Sequence, residues 1–135
     1  MYNKILVPVV FDKGHDTKAS FQAAQALANE GAEFTVLHVM EAIPSFVESQ
    51  IPADVLEESH NEIERLLKQS AADLPGSTTA LHAGHAGRFI VDYANDNGFD
   101  CIVLASHTPG LENLFLGSTA DRVVRHAKCS VHVIR

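Results

Sequence analysis

The residues best suited to do chemistry lie in one stretch near the C-terminal end: Ala105-Ser106-His107-Thr108-Pro109-Gly110-Leu111-Glu112-Asn113-Leu114-Phe115-Leu116-Gly117-Ser118-Thr119. This stretch leaves an apolar run and enters a helical pattern at Gly117-Ser118-Thr119. The start of a helix carries unpaired N–H groups and a partial positive charge. Gly117 would let an anion approach the backbone, and Ser118 and Thr119 add hydroxyl donors. Together these residues have the makings of a phosphate cradle. The competing reading is structural: Ser118 simply caps the helix.

Other reactive side chains are weaker candidates. His82-Ala83-Gly84-His85 resembles the His-x-Gly-His motif of nucleotidylyltransferases, but that motif belongs after a first strand, and here it follows the third. As metal ligands the two histidines lack a third partner nearby. Phe11-Asp12-Lys13-Gly14-His15-Asp16 is neither a Walker A loop nor a Ser-Gly-Gly pyrophosphatase loop, and Asp12 stands without the acidic pair of a phosphoacceptor domain. No Ser-His-Asp nucleophile elbow is present. His107 has a general base's chemistry but no nucleophile placed beside it. It reads as a loop residue, and with no catalytic base or metal-binding acid evident, hydrolysis or autophosphorylation would at most be slow.

The elements that must hold these residues alternate regularly. Strands are expected at Lys4 to Val10, Glu33 to Met40, Thr78 to His82, Cys101 to Ser106 and Val131 to Ile134. Helices are expected at Asp16 to Gly31, Ala53 to Leu74, Gly87 to Asn97 and Gly117 to Ala127. The first helix shows an apolar stripe of Ser20, Ala24, Leu27 and Ala28, with Gly31 as its stop, and Glu41 to Pro52 reads as a long loop. Strand-helix alternation implies a single α/β domain spanning 1–135: a doubly wound parallel sheet with four helices on both faces. In such sheets ligands bind beyond the C-terminal strand ends, where strand order reverses.

Composition narrows the function further. The chain has 135 residues, 46% of them hydrophobic, and a net charge of −7. That balance supports a packed core and argues against non-specific nucleic-acid binding, which depends on neutralising phosphates. No apolar run approaches the roughly 20 residues that cross a bilayer. Met1 to Val10 reads as a core strand rather than a signal peptide. Two cysteines, Cys101 and Cys129, make no disulfide framework and point to a reducing cytoplasm. They sit near the starts of expected strands and read as buried reduced thiols. The Glu-rich side of the second long helix is a solvated face.

Three blocks carry a resemblance to the universal stress proteins: Lys4-Ile5-Leu6-Val7-Pro8-Val9, the Ala105-Ser106-His107 and Leu114-Phe115-Leu116-Gly117-Ser118 stretch, and Val123 to Arg135. The chain looks most like the small single-domain bacterial type with a Ser-His-x-Pro loop. The resemblance implies a five-stranded sheet of order 3-2-1-4-5 and a homodimer through Val131 to Ile134. It also implies a regulatory or survival role and, for many members, bound ATP. In that pattern the backbone of Pro8, Val9 and Val10 faces adenine, and Val39 packs on the base. Ala105, Ser106, His107 and Thr108 run along the ribose and inner phosphates, and Gly117, Ser118 and Thr119 hold the terminal ones. Gly84 flanks the pocket. Mg²⁺ would arrive with ATP, held mostly by phosphates and water. The sequence departs from the family's Gly-x2-Gly-x9-Gly-Ser/Thr pattern. Ala105 and Thr108 replace the first two glycines, eight residues separate Thr108 from Gly117, and Val10 stands where an Asp is common. These departures leave ATP, ADP and AMP all open as ligands, and leave open a nucleotide-free dimeric interaction module of the same fold.

Overall fold

The computed structural model describes residues 1–11, 17–106 and 117–135. Its strands are β1 (Tyr2–Pro8), β2 (Ala28–Glu41), β3 (Thr78–Gly84), β4 (Cys101–Ala105) and β5 (Ser130–Ile134). They form one sheet in the order β3-β2-β1-β4-β5, every neighbouring pair parallel. The helices are α1 (Thr17–Leu27), α2 (Ser45–Glu48), α3 (Ala53–Ala71), α4 (Ala86–Asp96) and α5 (Ser118–His126).

β1 is the middle strand, and Ile5, Leu6 and Val7 are each 0% exposed. A central parallel strand is covered on both faces, so consecutive residues, not alternate ones, must be apolar. Ile5 and Val7 join Phe21, Ala24, Val36, Leu67 and Leu74 beneath α1 and α3. Leu6 joins Leu37, Ile90, Ala94, Ile102 and Val123 beneath α4 and α5. The sheet is thus doubly wound, as the alternation of elements implies.

Several boundaries differ from the sequence expectation, each for a local reason. The expected loop after β2 contains α2: Pro44 fixes its own φ, and its carbonyl accepts from Glu48 N at 3.0 Å, which nucleates one turn. The four expected helices therefore become five among the described residues. α1 ends at Leu27 rather than Gly31, and β2 begins at once. Pairing jumps from Tyr2↔Ala28 to Lys4↔Glu33, so β2 carries extra residues in a bulge. Gly31, at φ +77°, supplies the left-handed backbone that this bulge needs. Phe21, missing from the expected stripe of α1, is buried with Ser20 and Ala24, while Leu27 and Ala28 are half-buried. The expected start of that helix at Asp16 lies outside the described residues.

Cys101 opens β4 and is 1% exposed, with Cys129 just ahead of β5; neither forms a disulfide. Burial, and then the neighbouring Cys129 and Asp100, push the Cys101 thiol up to about 11. Burial likewise raises Cys129. Both thiols are held protonated and poorly nucleophilic, which fits structural cysteines. The folded state keeps the Cys101 proton after the unfolded chain has lost it. Stability is therefore full below about pH 9 and falls as pH rises toward 11, by on the order of 2 kcal/mol. Urea unfolding across that range should show the decline, and Cys101→Ala should flatten it.

Candidate functional site

The sheet splits at its C-terminal end. β1 pairs with β4 only at Ile5↔Cys101 and Leu6↔Ile102, although the strands run on to Pro8 and Ala105. β1 stays with β2, through Pro8↔Leu37 and a Val9 N–H donated to Leu37 O at 2.8 Å. β4 stays with β5, through Ala105↔Ile134 and a Ser106 N–H donated to Ile134 O at 2.8 Å. Between these diverging halves, at the point where strand order reverses, lies a cleft of about 420 Å³.

The structure brings together most of the residues singled out in the sequence. Pro8, Val9, Val10, Val39, Ala105, Ser106, Gly117, Ser118 and Thr119 all line this cleft. Gly84 does not; it closes β3 on the sheet's outer edge, beside Phe89. His107, Thr108 and Gly110 lie outside the described residues, as does Asp12. Residues missed in the sequence also contribute: Leu37, Ile90 and Leu104 to the apolar wall, and Thr17 and Ser20 as hydroxyls from α1. Thr17 and Ser20 are three apart in the opening turn of the helix after β1, a spacing that puts them on one face. Ser20 was absorbed into an apolar stripe because it is small; it is in fact a buried polar residue at 2% exposure.

The start of α5 shows which residue of Gly117-Ser118-Thr119 serves as the cap. The N-cap is Gly117, not Ser118, and no side chain caps the helix. The first intrahelical bond runs from Asp121 N to Gly117 O, 2.9 Å. The amides of Ser118, Thr119 and Ala120 precede it and have no partner among the described residues. Such orphan donors beside a cleft suit an anion. α4 is different: His85 Nδ1 accepts from Arg88 N at 3.3 Å and closes that helix start. Ser106 braces the cradle, since the Gly117 N–H donates to its Oγ at 2.8 Å. One wall of the cleft is therefore apolar, and the other offers amides and hydroxyls. None of the lining residues described is charged, so any Mg²⁺ would rest on the ligand's own phosphates and water.

The His82–His85 motif has other work. The His82 ring packs on Phe89 at 4.7 Å and on Tyr93 at 5.5 Å, and His85 is the cap of α4. No group of three or more His, Cys, Asp or Glu side chains able to hold a metal occurs among the described residues.

Fold and cleft together define a doubly wound α/β protein with an uncapped helix start at its switch point. Residues 1–135 match the model of the Universal stress protein family, and the chain belongs to that family. Universal stress protein A homolog 2 of Coxiella burnetii is 28% identical over 141 residues, covering 99% of this chain and 95% of its own length. The solved universal stress protein UspA from Lactobacillus plantarum is 29% identical at a TM-score of 0.75, over 99% of this chain and 98% of that one. More distant structures share the fold while holding adenine nucleotides. A universal stress protein in complex with cAMP is 21% identical at a TM-score of 0.68, covering 99% of this chain and 97% of that one. One from Archaeoglobus fulgidus in complex with dAMP is 18% identical at 0.66, covering 99% and 98%. An Arabidopsis thaliana family member with AMP bound is 17% identical at 0.63, covering 98% and 90%.

Proposed function

We propose that this chain binds an adenine nucleotide in the cleft between β1 and β4, as a dimeric regulatory or survival protein of the cytoplasm rather than as an efficient enzyme. The observation that carries the reading is the uncapped start of α5 facing an apolar slot of nucleotide size. The base lies between the Pro8-Val9-Val10 backbone and Val39. Ala105 and Ser106, with His107 and Thr108, follow the ribose and first phosphate. The amides of Ser118 and Thr119, with the close backbone approach that Gly117 allows, take the phosphate tail. ATP, ADP and AMP share these contacts, and Mg²⁺ accompanies the triphosphate. The nucleotide complexes of distant fold-mates support the same ligand class.

Dimer formation rests on the edge position of β5, where Val131, Val133 and Ile134 are only half-buried. An unpaired apolar edge strand invites a second copy, and an isologous pair closes on itself. No helix among the described residues is long and apolar enough to cross a membrane.

Calorimetry with AMP and with MgATP, beside light scattering of the purified protein, tests the proposal. Saturable binding of either nucleotide by a species of twice the chain mass is expected. No heat and no thermal shift at millimolar nucleotide, with no adenine nucleotide released on denaturing the purified protein, would favour the nucleotide-free interaction module instead. A monomer by light scattering would remove the dimer from the proposal.

A further inference from the structure

A second groove lies between α4 and α5, about 260 Å³, lined by Arg88, Val91, Asp92, Arg122 and His126. It shares no lining residue with the nucleotide cleft, and it concentrates positive charge on a chain whose net charge is −7. Elsewhere arginines meet carboxylates: Arg65 holds Glu62 at 2.6 Å and Arg125 holds Asp121 at 3.0 Å. The guanidinium groups of Arg88 and Arg122 make no ion pair or hydrogen bond among the described residues.

Their placement puts two positive side chains and one carboxylate on the same groove. Arg88 belongs to the first turn of α4, which contains no acidic residue. Arg122 reaches the same turn from α5. A Cβ added at Gly87 would stand 2.9 Å from Arg122 Cδ, 3.2 Å from its Cβ and 3.5 Å from its Cγ. The arginine stem therefore lies flat across α4, and glycine at position 87 is what admits it. Two arginines thus line one groove beside the first turn of α4, whose backbone start is already capped by His85. Asp92 is the one carboxylate on the groove, and it forms no ion pair with either arginine.

We propose that this groove is a second anion site, in which Arg88 and Arg122 hold the phosphoryl group of a small molecule, with Val91 as its apolar floor. Guanidinium forks match the tetrahedral oxyanion and bind it through paired N–H donors. The stem of Arg122, pinned over Gly87, needs little further ordering when the ligand arrives. His126 adds a third donor at the rim.

The test is a residue-resolved amide NMR titration at fixed ionic strength, with inorganic phosphate and glycerol 3-phosphate as probes and chloride as control. Nucleotide is left out, because AMP carries the same phosphomonoester group as the probes; the main cleft reports separately through the amides of Gly117–Thr119. Saturable shifts at Arg88, Asp92, Arg122 and His126 are expected with millimolar or tighter affinity for at least one probe, and at least tenfold weaker in R88Q/R122M. The exposed single change R88Q, which leaves the contact with Gly87 intact, should weaken binding several-fold with an unchanged melting temperature. Preference for the ester assigns the groove to a phosphorylated metabolite, and preference for phosphate to the free ion. Shifts that do not saturate, that chloride reproduces, that survive in both variants, or that are confined to Gly117–Thr119 would overturn the proposal. The outcome is independent of the nucleotide reading, because the two sites share no lining residue and report through different amides.

Discussion

Replacing Ser118 with proline should abolish most nucleotide binding while leaving the fold as stable as before. Ser118 is the first residue of α5, and proline is well tolerated at that position because its missing N–H has no intrahelical partner. The residue before a proline must be extended, and Gly117 already is, at φ −64° and ψ 157°. The substitution therefore deletes one amide and one hydroxyl from the cradle and disturbs little else. A hydrogen bond to a charged group contributes about 1.5–3 kcal/mol, so the loss should be roughly 30-fold in affinity. Ser118→Ala removes the hydroxyl alone and should cost only a few-fold. Calorimetric titration of both variants, with melting temperatures measured in parallel, separates the backbone contribution from the side chain's. If Ser118→Pro binds nucleotide as tightly as the parent, the helix start does not grip the phosphates.

That prediction rests on a feature the sequence showed only in part. The Gly-Ser-Thr run and its place after a buried strand were visible, because apolar strands and helix starts have local signatures. Which residue serves as N-cap was not, since Gly117 and Ser118 are both acceptable there and the choice depends on how the preceding chain arrives. Sheet order became legible through resemblance rather than through periodicity: alternation of elements says parallel and doubly wound, but not which strand lies in the middle. The opening between β1 and β4 is a property of register, of pairing that stops at Leu6↔Ile102, and no single residue encodes it. Thr17 and Ser20 escaped notice for a related reason. Small hydroxyl side chains fit a helix stripe as readily as alanine, and only the tertiary arrangement turns them toward a ligand cleft. The histidines at 82 and 85 looked like chemistry and proved to be an aromatic contact and a helix cap, uses to which an imidazole lends itself wherever it meets rings or orphan amides.

The second large effect concerns Leu6. Truncation to alanine should destabilise the protein by about 3 kcal/mol, within the range for buried leucines. Leu6 is 0% exposed at the centre of the middle strand, and its face of the sheet meets α4 and α5 through Ile90, Ala94, Ala120 and Val123. It is also the last β1 residue paired with β4 before the strands part. Leu6 shares a core cluster with Ala120 and Val123 of α5, and Ala120 also lines the cleft, so a cavity in that cluster loosens the packing behind the start of α5. The loss should therefore appear twice: as a lower urea midpoint with unchanged slope, and as weaker nucleotide binding even at temperatures where the variant is fully folded. A control on the opposite face separates the two effects. Val7→Ala removes a residue that is equally buried but packs beneath α1 and α3. It should cost less stability in proportion to its smaller volume and leave the start of α5 where it is. Equal damage to binding from both changes would mean that the cradle responds to general loosening of the sheet. A selective loss in Leu6→Ala would show that packing beneath α5 sets the position of its amides.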